Sequence, residues 1–168
     1  MTYVAGTTPY PWPWHGELDP GRLALLLVSC PDAEPPSGEL AAVVREAGGL
    51  VVGVRVRTTG STIATGCADA VVGSPGWDGF YAGPLDALLR RHGRDLLLLA
   101  GCCLETGVHS TLRSANDRGY ECLLVADATL AAHDGLRAGA VSTIEMSGGV
   151  FGAVGASAAV TAALTGKE

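Results

Sequence analysis

Three times along this chain a helix-like stretch ends in glycine and gives way, within a few residues, to an apolar run of strand length. Glu39–Ala47 is followed by Gly48-Gly49 and then Leu50–Val56. Leu85–His92 is followed by Gly93 and then Leu96–Ala100, and Thr106–Arg118 by Gly119 and then Cys122–Ala126. Glycine closes a helix because it accepts the left-handed conformation of the residue past the last turn. The runs that follow are apolar at successive positions rather than alternate ones, the pattern of strands covered on both faces. Strand–helix alternation with buried strands predicts an α/β domain with a parallel sheet, and right-handed crossovers place helices on both faces of it. The earlier run Leu23–Val28 reads as the first strand. Leu136–Met146 and Ala156–Leu164 read as further helices, Val150-Phe151 as a short edge strand, and Ala70–Val72 as a short strand inside an otherwise loop-like stretch from Thr58 to Gly76.

Ligands of open parallel sheets bind at the carboxyl ends of the strands. The residues that matter for function are therefore expected in Ser29-Cys30-Pro31-Asp32, Arg57-Thr58, Gly101-Cys102-Cys103 and Asp127-Ala128. With 168 residues, 48% hydrophobic and 17% charged, the chain suits one domain with a full core. The formal net charge of −6 shows no basic patch for nucleic acid. No apolar stretch is long enough to span a membrane, and Met1–His15 has neither the basic start nor the apolar run of a secretory signal. The five cysteines, Cys30, Cys67, Cys102, Cys103 and Cys122, are odd in number and lack CxxC spacing. They read as reduced thiols of a cytoplasmic protein.

The segment Pro9-Tyr10-Pro11-Trp12-Pro13-Trp14 cannot be helical. It predicts an extended, polyproline-like N-terminal arm over residues 1–22, preceding a single domain over 23–168. Its aromatics gain by burial against the domain or a neighbouring subunit.

Several stretches resemble the isochorismatase-like cysteine hydrolases, in particular the branch around biuret amidohydrolase. Pro9–Gly16 followed by Ala24–Val28 resembles that branch's lead into its first strand. Phe80-Tyr81-Ala82-Gly83-Pro84-Leu85 resembles the segment after the family lysine, and Ser114–Leu124 and Gly148–Gly152 match further on. The resemblance covers nearly the whole chain, apart from two shortened loops after the first and second strands. It implies a three-layer αβα, Rossmann-like fold with a mostly parallel sheet, and oligomeric assembly.

In active members of that family a strand-end Asp acts as acid or base, a Lys supports the charged states, and a Cys at a helix start is the nucleophile. The resemblance places these positions at Ser29, Ser74 and Gly107. None of the three carries the required ionisable or nucleophilic group. Glycine also stands at the Cys position in true isochorismatases, which cleave a vinyl ether, but those keep the acid and the Lys. Moving Asp32 into the acid's place breaks the match at Leu18, Pro20 and Ala24.

Cys30, Cys102 and Cys103 lie at strand ends. They read as a relocated nucleophile, a soft metal site, a redox pair, or small thiols filling space near a collapsed pocket; the last is preferred. His109, near the helix start, reads as a partly exposed helix residue or as a base for unusual chemistry. Glu105 and Thr106 suit a helix N-terminus. Trp77 and Phe80 read as packing residues that border the former pocket or an interface. The sequence thus predicts a catalytically degenerate homologue with no metal and no cofactor. It is expected to assemble with itself or with an active cysteine hydrolase, and to bind neither nucleic acid nor membrane. Two alternatives remain: a hydrolase of a small amide, urea-like or vinyl-ether substrate with a rebuilt site, and a small-molecule binding module in the remnant cleft.

Overall fold

The computed structural model describes residues 2–30, 38–58 and 68–166. Its centre is a six-stranded sheet formed by β1 (Leu23–Ser29), β2 (Leu50–Val56), β3 (Ala70–Ser74), β4 (Leu96–Cys102), β5 (Glu121–Leu130) and β6 (Ala153–Gly155). The order is β3-β2-β1-β4-β5-β6, and every pairing is parallel. The helices are α1 (Gly38–Glu46), α2 (Leu85–Arg91), α3 (His109–Asp117), α4 (Asp134–Glu145) and α5 (Ser157–Thr165). The sheet is thus the parallel α/β sheet expected from the glycine-stopped alternation.

Each face of the sheet carries its own core. Ala24, Leu26 and Val28 of β1 pack with Val54 and Val56 of β2 against Leu85 and Leu89 of α2, Leu112 and Ala115 of α3, and Ile144 of α4. Leu23, Leu25 and Leu27 point the other way and pack against Leu40 and Val44 of α1 and Val160 of α5. Alternate residues of one strand feed opposite faces, so an unbroken apolar run is what a two-sided sheet requires.

The N-terminal segment doubles back instead of running straight. Val4 pairs antiparallel with Trp12, and Thr8 pairs antiparallel with Val154 of β6. Thr7 Oγ1 holds the bend by donating to the Tyr10 carbonyl at 2.8 Å and accepting from the Trp12 amide at 2.9 Å. The segment covers the edge of β6, which would otherwise present unpaired amides. Trp12 is fully buried with Val4 and Leu18, whereas Trp14 is 65% exposed.

Several element boundaries differ from the sequence reading, with β5 running on to Leu130 rather than ending at Ala126. The last strand forms at Ala153–Gly155 rather than at Val150-Phe151. Gly148 and Gly149 adopt positive φ, so a turn occupies the predicted position. The helix expected from Thr106 starts earlier, as a π-helical turn over Leu104–Val108 that runs into α3.

Candidate functional site

The strand order reverses direction between β1 and β4, so the carboxyl ends of these two strands flank the crevice where open sheets bind ligands. Gly101 makes the approach at this point possible. Its φ is +125°, and a Cβ built there would lie 1.9 Å from the Val28 carbonyl oxygen. No other residue fits between β1 and β4. The kink is accompanied by a register shift of β4 on β5 between Leu99 and Gly101.

Beyond it the chain delivers Cys102 and Cys103 to the end of β1. Cys30 Sγ lies 3.5 Å from Cys102 Sγ and 3.2 Å from Cys103 Sγ. The three sulfur atoms all fall within 4.8 Å of one another. Cys102 is buried, and the other two are half-buried. The sequence places these cysteines at strand ends; the strand order is what brings them together. Burial pushes the Cys102 thiol up to about 11 and the Cys103 thiol up to about 12, with hydrogen bonding to and repulsion from Cys30 adding to the rise at Cys103. Thiols held so high are poor sources of thiolate at neutral pH. Cys122 is fully buried in β5 with its thiol also pushed up by burial. Cys67 and Asp32 lie outside the described residues, as do most of the two connections read as shortened.

The three positions singled out for family catalysis lie at or just beyond the carboxyl ends of strands. Ser29 ends β1, opposite Arg55 of β2, and Ser74 ends β3, opposite Val56. Ser74 is fully buried. Its hydroxyl lies 2.6 Å from the Asp78 carbonyl and 2.9 Å from the Tyr81 carbonyl, and accepts from the Gly76 amide at 3.2 Å. It therefore ties down the turn that carries Trp77 to Tyr81. Gly107 sits in the π-helical turn with its open side against the sheet. A Cβ there would lie 3.0 Å from Val56 Cγ2 and 3.3 Å from Val28 Cγ1.

The remaining candidates point elsewhere. Phe80 is buried and stacks on Tyr120 with centroids 5.6 Å apart, with the Arg118 guanidinium 5.1 Å from its ring. Trp77 is 46% exposed and faces the Arg57 guanidinium at 5.6 Å. His109, expected to be partly exposed, is instead buried, because Phe151 covers it edge-on at 6.3 Å between centroids. Its Nδ1 accepts from Arg113 Nε at 3.0 Å, so the ring is neutral there. Burial and the Arg113 charge hold its pKa below the usual histidine value.

His109, Glu105 and Arg113 line a surface cleft of about 440 Å³ between α3 and α4. The Glu105 carboxylate accepts from the backbone amides of Ala132 and His133 at 3.1 and 2.9 Å. It therefore secures the entry to α4 as well as standing in the first turn of its own helix. Asp127, in the carboxyl-terminal half of β5, accepts from the Ser157 amide at 2.8 Å and the Ser157 hydroxyl at 2.5 Å, capping α5.

No helix among the described residues is long and apolar enough to cross a membrane. The isochorismatase domain family matches residues 50–157. The chain is 40% identical over 101 residues to a protein named ureidoacrylate amidohydrolase RutB from Methylorubrum extorquens, a match covering 60% of this chain and 40% of that protein. It is also 40% identical over 52 residues to the isochorismatase family protein YwoC of Bacillus subtilis, 31% of this chain and 28% of that one. These matches span less than half the length of those relatives. Among solved structures, a cysteine hydrolase from Pseudomonas syringae superimposes with a TM-score of 0.72 at 18% identity, over 90% of this chain and 96% of that one. The nicotinamidase of Staphylococcus aureus superimposes with a TM-score of 0.60 at 18% identity, over 80% of this chain and 98% of that one. These likenesses show the shared fold, and together with the family match over residues 50–157 they establish that the chain belongs to the isochorismatase family.

Proposed function

We propose that this chain is a catalytically degenerate member of its family that serves as a structural or regulatory subunit of an oligomer, with itself or with an active cysteine hydrolase. The observation that carries the reading is the packing at Gly107. The position assigned to the nucleophile lacks a side chain, and the space a side chain would enter is taken by Val56 and Val28. Ser74, at the position assigned to the lysine, is sealed in the core and engaged with backbone groups. Ser29 offers no proton-transfer group of its own near neutral pH.

The outer surface supports assembly. Of the twelve residues of α4 only Ile144 is buried. Leu136, Met146 and Val150 on and just beyond this helix are 51%, 82% and 66% exposed. These exposed apolar side chains are the candidates for a protein contact. The curated relatives named as ureidoacrylate amidohydrolases suggest the class of partner: a hydrolase of a small urea-like amide.

The test is affinity capture of the tagged chain from its native cells, followed by native mass determination. A stoichiometric complex with an intact cysteine hydrolase, or a defined homo-oligomer without hydrolase activity, is the expected result. A monomer that captures no hydrolase overturns the assembly. The convergence of three thiols favours a second reading, a hydrolase of a small amide, urea-like or vinyl-ether substrate with a relocated nucleophile. Selective labelling of Cys30, Cys102 or Cys103 by a thiol-reactive probe at pH 7, together with turnover, would establish it. The raised thiol pKa values count against it.

A further inference from the structure

The cluster at the β1–β4 crevice has an unusual composition. Three sulfur atoms from two adjacent strand ends converge within 4.8 Å, and no histidine or carboxylate among the described residues joins the group. Space-filling alone would be served by alanine or valine, neither of which brings three polarisable donors to one point. The contacts of 3.2 and 3.5 Å are well beyond the ~2.05 Å of a disulfide, so the thiols are separate. Sulfurs bound to one ion at ~2.3 Å sit roughly 3.8–4 Å apart. The observed spacing reaches that with adjustments of about half an ångström, within the range of a cysteine χ1 change.

We propose that Cys30, Cys102 and Cys103 form a three-coordinate site for a soft, thiolate-binding d10 metal ion of the monovalent copper class. Thiolates select soft ions, and a set of three sulfurs that no harder ligand joins among the described residues suits Cu(I) better than Zn(II), which closes a tetrahedron in structural sites. No electron transfer is involved. Each thiol that ligates the ion releases its proton to solvent, and the metal–sulfur bond takes its place. The cluster lies beside the positions assigned to family catalysis, since Cys30 follows Ser29 and a Cβ on Gly107 would stand 3.8 Å from the Cys102 carbonyl oxygen; it uses none of those three side chains, so it holds whether or not the chain is a degenerate subunit.

The experiment is an anaerobic titration of the reduced full chain with Cu(I), in competition with a chromophoric Cu(I) chelator, and with Zn(II) in parallel. One equivalent of Cu(I) per chain is expected. Cys103→Ser and Cys30→Ser should each weaken binding at least 100-fold, while Cys122→Ala leaves it within threefold. In the wild-type chain, which avoids any folding defect of a variant, bound Cu(I) should protect Cys30, Cys102 and Cys103 from alkylation, as mapped by peptide mass. Four results would overturn the site: no binding at one equivalent, binding indifferent to Cys103→Ser, loss of 2 Da to a disulfide in place of metal uptake, or a preference for Zn(II). Failure here leaves the affinity-capture result for the subunit reading untouched, and the converse also holds.

Discussion

Replacing Gly107 with alanine measures how firmly the pocket floor is closed. The new methyl would stand 3.0 Å from Val56 Cγ2 and 3.3 Å from Val28 Cγ1, tighter than ordinary van der Waals contact. Both valines are buried, at 2% and 0% exposure, in adjacent parallel strands. A β-branched side chain in a packed strand has little rotamer freedom with which to retreat. Overpacking of this kind costs about 1–3 kcal/mol. Alanine in a helical turn returns about 0.5–1 kcal/mol relative to glycine. The net expectation is a loss of about 1 kcal/mol, or a Tm lower by about 2–4 °C for a domain of this size. Urea unfolding of Gly107→Ala, Val56→Ala and the double variant, at one protein concentration, separates the terms. The double variant should be more stable than the sum of the singles by about 1 kcal/mol, because the alanine methyl refills space that Val56 vacates. A Gly107→Ala variant that is stabilised, with no coupling to Val56→Ala, would mean that a side chain fits there. The closed-site argument for degeneracy would then fall.

Gly107→Cys alone should confer no detectable hydrolysis of ureidoacrylate in a product-release assay, since Ser29 and Ser74 still lack the ionisable groups; turnover from this single change would refute the reading. Trp12→Ala should destabilise the chain by about 3–5 kcal/mol in urea melts, while Trp14→Ala, at a residue 65% exposed, should stay within about 0.5 kcal/mol; equal effects would contradict the docked N-terminal segment. Because His109 has a lowered folded pKa, the unfolded chain binds the extra proton first. Stability should be complete above about pH 6.5 and decline as pH falls through the folded value, as Arg113 and the protonated ring come to share one site near Glu105. The lowered carboxylates Asp69, Glu105 and Asp127 act only below about pH 5, so His109→Gln should flatten the profile between pH 7 and 5; an unchanged slope would refute the assignment.

The sheet was legible in the sequence because its signals are local. Gly49, Gly93 and Gly119 each follow a helix and precede an apolar run, and β2, β4 and β5 form there. The short strand expected at Ala70–Val72 forms and runs on to Ser74. The displaced last strand has a local explanation too: Val150-Phe151 is apolar, but flanking glycines at positive φ make it a turn, and pairing with Leu123–Val125 begins only at Ala153. What pattern reasoning misses is the folding back of residues 4–12, since prolines specify an absence of helix without specifying where the chain turns. The bend depends on Thr7 and on β6, almost 150 residues away in the sequence.

The site divides along the same line. That Ser29, Ser74 and Gly107 lack the family's functional groups is plain from residue identity. What replaces those groups is a property of packing. A buried serine could have faced an open pocket, but Ser74 spends its hydroxyl on the carbonyls of Asp78 and Tyr81. A glycine could have left room for substrate, but Gly107 is backed by two valines. The thiol cluster is the strongest case. Cys30 is separated from Cys102 by 72 positions, and only the order β2-β1-β4, with Gly101 admitting the Val28 carbonyl where a side chain would block it, makes them neighbours. The signal that could have found the cluster is therefore Gly101 itself. A glycine near the end of an otherwise leucine-rich strand, followed by two cysteines, marks a backbone approach to the neighbouring strand, and the third cysteine directly follows that strand.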